Sequence, residues 1–183
     1  MRITLGHIAL VGFMLTIPAA NWLIQNVGTF CVPDGPCLIP IGFGLDSPSG
    51  VLMIGLAFVL RDIVHERLGW RWAMGAILCG GLLSGLVAPA AFVVASIVAF
   101  LVSELADMAV YTPLRERRLW LAVVASGAVG SLVDSALFLG LALGHLDYVI
   151  GNTIGKFWMT LAALPVLFWW RARASDNREC GDT

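Results

Sequence analysis

Apolar residues fall along this chain in six long stretches, covering about 3–23, 49–64, 72–88, 90–111, 119–143 and 148–170. A helix needs ~20 mostly apolar residues to cross the hydrocarbon of a bilayer, so the pattern predicts six transmembrane helices. The first run begins after Arg2 and contains Pro18-Ala19-Ala20, the ingredients of a secretory signal, but it is long for one. The charge pattern described below also requires it as a retained span. Between the first two spans, Gln25 to Pro48 reads as a Gly- and Pro-rich loop that carries Asp34 and Asp46 and no basic residue. The second span is short unless Arg61 and Val64 extend it into the headgroup layer. Arg61-Asp62-Ile63-Val64-His65-Glu66-Arg67 then reads as a polar turn before Gly69. Pro89 separates the third and fourth spans with almost no loop, which predicts a tight hairpin. Thr112 to Arg118 is a charged turn, and the tail from Arg171 to Thr183 is polar and expected to fray.

Composition points the same way. Of 183 residues, 59% are hydrophobic and 13% charged, against roughly 25% charged in a soluble domain. A chain this short has too much surface to hide that excess in a core. Six helices and their loops use nearly all of it, so the expectation is a single all-α integral membrane domain over residues 1–183. Charge placement then orients it. Of eleven Lys and Arg, ten fall on one side if the spans alternate: Arg2, Arg61, Arg67, Arg71, Arg115, Arg117, Arg118, Arg171, Arg173 and Arg178. The positive-inside rule puts that side, and with it both termini, in the cytoplasm. Trp70, Trp72, Trp120, Trp169 and Trp170 stand at span ends, as an interfacial aromatic belt does.

Five ionisable residues fall inside or at the edge of spans: Asp62, Glu104, Asp107, Asp134 and Lys156. A charge at mid-bilayer costs on the order of 3 kcal/mol or more, so such groups face the bundle interior, pair, or line a polar cavity. Counting from the nearer span ends puts Asp134 and Lys156 at one depth, ~12–14 Å in at 1.5 Å per residue. They are either a structural ion pair or part of a site for a substrate or coupling ion. Ser126, Gly130 and Asp134 share one helix face, and Asn152, Lys156 and Thr160 share another. Small residues alone are explained by close packing; two facing polar stripes favour a cavity. Glu104 and Asp107, an i, i+3 pair beside Ser103, either carry a proton or neutralise Arg61 and Arg115 at the inner rim. We favour the rim role for Asp107 and leave Glu104 open. Asn21 and Gln25 near the end of the first span either bind a ligand or cap the helix.

Other chemistry finds no support. Gly151-Asn152-Thr153-Ile154-Gly155-Lys156 is one residue too short between its glycines for a phosphate loop, and Phe157 stands where Ser or Thr is required. Cys31 and Cys37 lie in the outer loop, where a disulfide is permitted if that side is oxidising. Cys79 and Cys180 read as free thiols. Neither these cysteines nor His7, His65 and His145 form a metal site, no cofactor is implied, and no soluble basic face suggests nucleic acid. An intramembrane enzyme using Glu104, Asp107 and Asp134 would need these groups to converge on one site, and the topology sets Glu104 and Asp134 a few turns apart. A substrate-binding subunit that docks an energising partner is a further alternative. The Ala91, Ala95, Ala99 stripe would suit docking, though internal packing explains it equally.

Three segments carry a resemblance. Gly55 to Gly69, with Arg61-Asp62 and Glu66, is similar to the hallmark of the queuosine-precursor transporter family, a vitamin-uptake-transporter-like group. So is Ser103 to Arg115, with Glu104, Asp107, Tyr111 and Pro113. So is Gly130 to Phe138, with Asp134 and Ser135, followed by Gly155-Lys156. Asn21-Trp22 fits as well, and the segments occur in order over nearly the whole chain. Gly127 and Asn152 depart from the family pattern, which often has Asn and Gln there. The outer loop with Cys31 and Cys37 has no counterpart in it. The resemblance implies import of 7-cyano- and 7-aminomethyl-7-deazaguanine across a bacterial inner membrane. It also implies a six-helix fold similar to the substrate-binding subunits of energy-coupling-factor transporters. A 7-deazapurine could place its N–H edge on Asp134 and its carbonyl near Lys156 or Asn152. It could stack on Trp22, Phe138 or Trp158 at ~1–3 kcal/mol per base. Asn21 and Glu104 complete the expected substrate-binding set. The remaining partners are the lipid bilayer and, by the commonest default, a second copy in a two-fold dimer.

Overall fold

A computed structural model describes residues 5–33, 35–88, 93–142, 144, 146, 148–162 and 165. Helix α1 spans Leu5–Asn26, α2 Val51–Leu68, α3 Trp70–Val87, α4 Val93–Leu114 and α5 Leu119–Ala142. A sixth helix, α6, is described over residues 149–162. By length and composition, four helices can cross a membrane: α1, α3, α4 and α5. Arg2, Asp34, Pro89, Ala91, His145 and the tail with Trp169 and Trp170 lie outside the described residues.

The bundle has its polarity reversed relative to a soluble protein. Leu78, Leu82 and Leu86 form an exposed stripe on α3, and Val94, Val98 and Val102 another on α4. Arg61 and Lys156, in contrast, are 0% exposed. Exposed aliphatic rows with charge inside suit lipid as the surrounding solvent. The helices define a polytopic membrane protein. Arg67, Arg71, Arg115, Arg117 and Arg118 gather at one end, near the α2–α3 and α4–α5 turns, and we call this the basic end. Trp70, Trp72 and Trp120, all about half exposed, ring the same end.

Two expectations change. The segment 25–48 is not merely a loop. It holds a three-stranded antiparallel sheet of β1 Phe30–Cys31, β2 Cys37–Gly42 and β3 Leu45–Pro48, in that order. The all-α assignment therefore needs this small addition. Gly42, Phe43 and Gly44 turn β2 into β3 with φ of 99°, 56° and 72°, and it was those turn residues and the prolines that read as loop. Cys31 pairs with Cys37 across β1 and β2 and the two form a disulfide. Second, Arg61 to Arg67 is not a polar turn: α2 continues as helix to Leu68. Gly69 alone then links α2 to α3 with φ 93°, a conformation open to glycine at little cost. The helix continues because Arg61, Asp62 and His65 point inward, each 2% exposed or less.

Candidate functional site

Two buried centres share the interior. In the first, Lys156 Nζ of α6 donates to Asp134 Oδ2 of α5 and to Ser135 Oγ at 3.0 Å. Ser103 Oγ of α4 donates to Asp134 Oδ1 at 3.4 Å. The equal depth expected for Asp134 and Lys156 is thus realised as a direct ion pair. Lys156 reaches this position because α6 lies against α2. A Cβ on Gly55 would overlap the Lys156 carbonyl oxygen, so only glycine permits that contact.

In the second centre, Arg61 of α2 pairs with three carboxylates. Its Nε donates to Glu104 Oε2 at 3.0 Å, an Nη donates to Asp107 Oδ1, and Nη1 lies 3.0 Å from Asp62 Oδ1. The role expected for Asp107, neutralising Arg61, is realised, but in the buried interior and not at the rim. Glu104 shares it. The enzyme reading gains nothing from this placement. Ser103 brings Glu104 closer in depth to Asp134 than the topology suggested, yet each carboxylate is tied to a different cation.

A cavity of about 280 Å³ lies in the half of the bundle nearest the sheet. Its walls are mostly apolar, from α1, α2 and α4, and Gly35, Pro36 and Pro48 stand at its sheet end. Asn21, Asp134, Phe138 and Asn152 line it. The amides are oriented by the fold. Asn21 Nδ2 donates to Ile17 O at 3.0 Å and Gln25 Nε2 to Asn21 O at 2.9 Å. Each side-chain carbonyl therefore remains an acceptor. Asn152 Oδ1 accepts from Ser47 Oγ of β3 at 3.2 Å, which leaves its NH₂ as donor. The cavity thus offers acceptors from α1 and α5 and a donor from α6, in the small convergent set that ligand pockets use.

The structure brings together four of the eight expected site residues. Lys156 backs the cavity through Asp134. Glu104 does not line it and belongs to the Arg61 centre. Trp22 and Trp158 are 58% and 47% exposed and do not line it either; their faces point away from the bundle, which leaves Phe138 as the aromatic surface of the expected set. Gly127, a departure from the family pattern, packs on Thr160 and not on the cavity. Ser103 and Ser135, named in the sequence only as neighbours of the charged residues, orient the ion pair; Ser47, which holds Asn152, and Thr16, Ser84 and Ser96 in the cavity wall carried no signal in the sequence. Isolated hydroxyl residues in apolar helices and in a turn-rich outer segment are too common to single these out. Residues 151–156 are helical, so no phosphate loop forms there.

Residues 86–170 match the model of the family described as "Putative vitamin uptake transporter". The match covers α4, α5 and the described part of α6, and agrees with the vitamin-uptake-transporter-like resemblance. No curated protein and no solved structure matched in the same comparisons.

Proposed function

We propose that this protein is a six-span importer of queuosine precursors, 7-cyano- and 7-aminomethyl-7-deazaguanine, in a bacterial inner membrane with both termini cytoplasmic. The observation that carries the reading is the cavity: an apolar slot with Asp134 on one wall and pre-oriented amides on two others. A flat heterocycle with an N–H edge and a carbonyl matches that set. Asp134 and Asn21 accept from the N–H groups, Asn152 donates to the carbonyl, and Phe138 covers the ring. The basic end supports a cytoplasmic assignment. The Cys31–Cys37 disulfide at the opposite end supports an oxidising side there. The sheet end is then where substrate enters.

Equilibrium binding to the purified protein tests this. Losing one neutral hydrogen bond costs about 1 kcal/mol, roughly a five-fold weaker Kd, so Asn21→Ala and Asn152→Ala should each weaken 7-cyano-7-deazaguanine by about that factor. Asp134→Asn, which removes a charged acceptor, should weaken it by ten-fold or more. The absence of measurable binding of either deazaguanine to folded native protein would overturn the substrate assignment.

A further inference from the structure

The cavity gives a role to Asp134 and Asn152 but none to the Arg61 centre. Arg61, Asp62, Glu104 and Asp107 are each 2% exposed or less, and none of them lines the cavity. With the Lys156–Asp134 pair included, the buried residues among those described comprise four carboxylates and two cations, with Arg67 and Arg115 only partly buried toward the basic end. Surplus negative charge is costly in a low-dielectric interior, so something must neutralise part of it. The three carboxylates of the Arg61 centre each face a guanidinium nitrogen. The guanidinium occupies the point on which they converge, and among the described residues no acidic cluster is arranged to hold a metal ion. A proton on one carboxyl is the neutralisation this geometry admits.

Hydrogen bonding selects the carboxyl. Glu104 and Asp107 accept from the guanidinium. Asp62 Oδ1 is near Nη1 yet has no hydrogen-bond partner among the described residues, and Nη1 has none either. Asp62 therefore gives up least by holding a proton. Ser126 of α5 faces Asp107, and Ser126 Oγ and Asp107 Oδ2 make no hydrogen bond of full geometry among the described residues. His65 Nδ1 is a further such atom. Glu66, half-buried, lies one turn from Asp62 toward the basic end.

We propose that Asp62 carries one exchangeable proton in the Arg61 centre and that import is coupled to its passage from the sheet side to the basic end. The coupling rests on the transport reading above; the proton site does not. The charges that reach Asp62 are Arg61 and Glu66 of its own helix and Glu104 and Asp107 of α4; the Tyr111 hydroxyl stands beside them, with His65 of α2 against its ring and Arg115 reaching both Tyr111 and His65 from the basic end. On α5, Asp134 faces Glu104. Helices α1 and α3 carry only His7 and Arg71, both at the basic end. Helix α2 joins the two functions, because its first turns wall the cavity and its later turns carry Arg61 and Asp62. A shift of α2 on substrate binding changes both together. The direction is symport: one proton enters with each substrate molecule, so an acidic sheet side drives accumulation.

Two measurements decide it. Infrared spectra of the protein in bilayers should show the carbonyl band of a buried, protonated carboxyl at neutral pH, and Asp62→Asn should lack that band. A native protein without the band would overturn the proton site. In vesicles with entrapped pH dye and the potential clamped, 7-cyano-7-deazaguanine should acidify the lumen as it enters. Asp62→Asn should still exchange labelled for unlabelled substrate, while losing acidification and accumulation driven by a pH gradient. Entry with unchanged lumen pH, or accumulation driven by sodium at equal pH, would overturn the coupling. If folded native protein fails to exchange substrate at all, the importer reading falls and the coupling with it, while the infrared band still decides the proton site.

Discussion

The Asp134–Lys156 pair separates a structural role from a binding role. Lys156→Met keeps the length of the stem and removes the charge from a side chain that is 0% exposed. Asp134 then keeps only the Ser103 hydroxyl at 3.4 Å. Breaking a buried pair from one side costs about 3–5 kcal/mol, because the remaining charge is left without compensation. At 1.4 kcal/mol per factor of ten, this shifts the unfolding equilibrium by roughly two to three and a half powers of ten. Asp134→Asn in the Lys156→Met background removes the orphaned charge. The double variant should return to within about 1 kcal/mol of native, and with each single variant about 3–5 kcal/mol down this is a coupling of at least about 5 kcal/mol. Denaturant unfolding of the four proteins in one detergent measures it. A double variant as unstable as Lys156→Met would refute the reasoning. Ligand binding to the same proteins adds the second half. Asp134→Asn and the double variant should bind deazaguanine equally weakly; native-like binding by the stable double variant would make the pair purely structural.

Other outcomes follow from single contacts. Gly55→Ala places a methyl against the Lys156 carbonyl, and should destabilise the bundle by about 1–3 kcal/mol as overpacking does, seen as a lower unfolding midpoint in detergent. Without reductant, the denatured protein should take up two maleimides, and after reduction four, by mass spectrometry; four in both cases would contradict the Cys31–Cys37 disulfide. Closing so short a loop is worth about 2 kcal/mol, so reduction should speed proteolysis between residues 27 and 48 and leave the helical core intact. Asn21→Cys should react with a membrane-impermeant maleimide from the sheet side, and saturating deazaguanine should slow that reaction several-fold.

The sequence made the helices legible because lipid demands long apolar runs: the first five runs appear as helices within a few residues of their expected places, the sixth is helical over its described residues 149–162, and four of the helices are long and apolar enough to cross a membrane. Of the basic residues counted to one side, Arg67, Arg71, Arg115, Arg117 and Arg118 do stand at one end, whereas Arg61 is buried in the interior. The sheet was not legible. Strands this short, with Pro40, Pro48 and a glycine-flanked turn, carry no alternation long enough to read. Arg61 was misplaced for a related reason. A cluster of charges after Leu60 has the composition of a turn, and only the acids on α4, forty residues away in sequence, make its burial affordable. Asp134 and Lys156 were legible through depth counting on adjacent helices. Trp22 and Trp158 were drawn toward the site by chemistry alone; the helix faces they occupy were decided by Asn21 and Lys156, which turn inward.

The most direct test of the transport account is nutritional. The protein would be expressed in bacteria that neither make nor take up queuosine precursors, with 7-cyano-7-deazaguanine supplied at low external concentration, and queuosine measured in their tRNA. The account predicts that the native protein restores queuosine and that Asp134→Ala does not. A well-expressed native protein that leaves the tRNA without queuosine would contradict it.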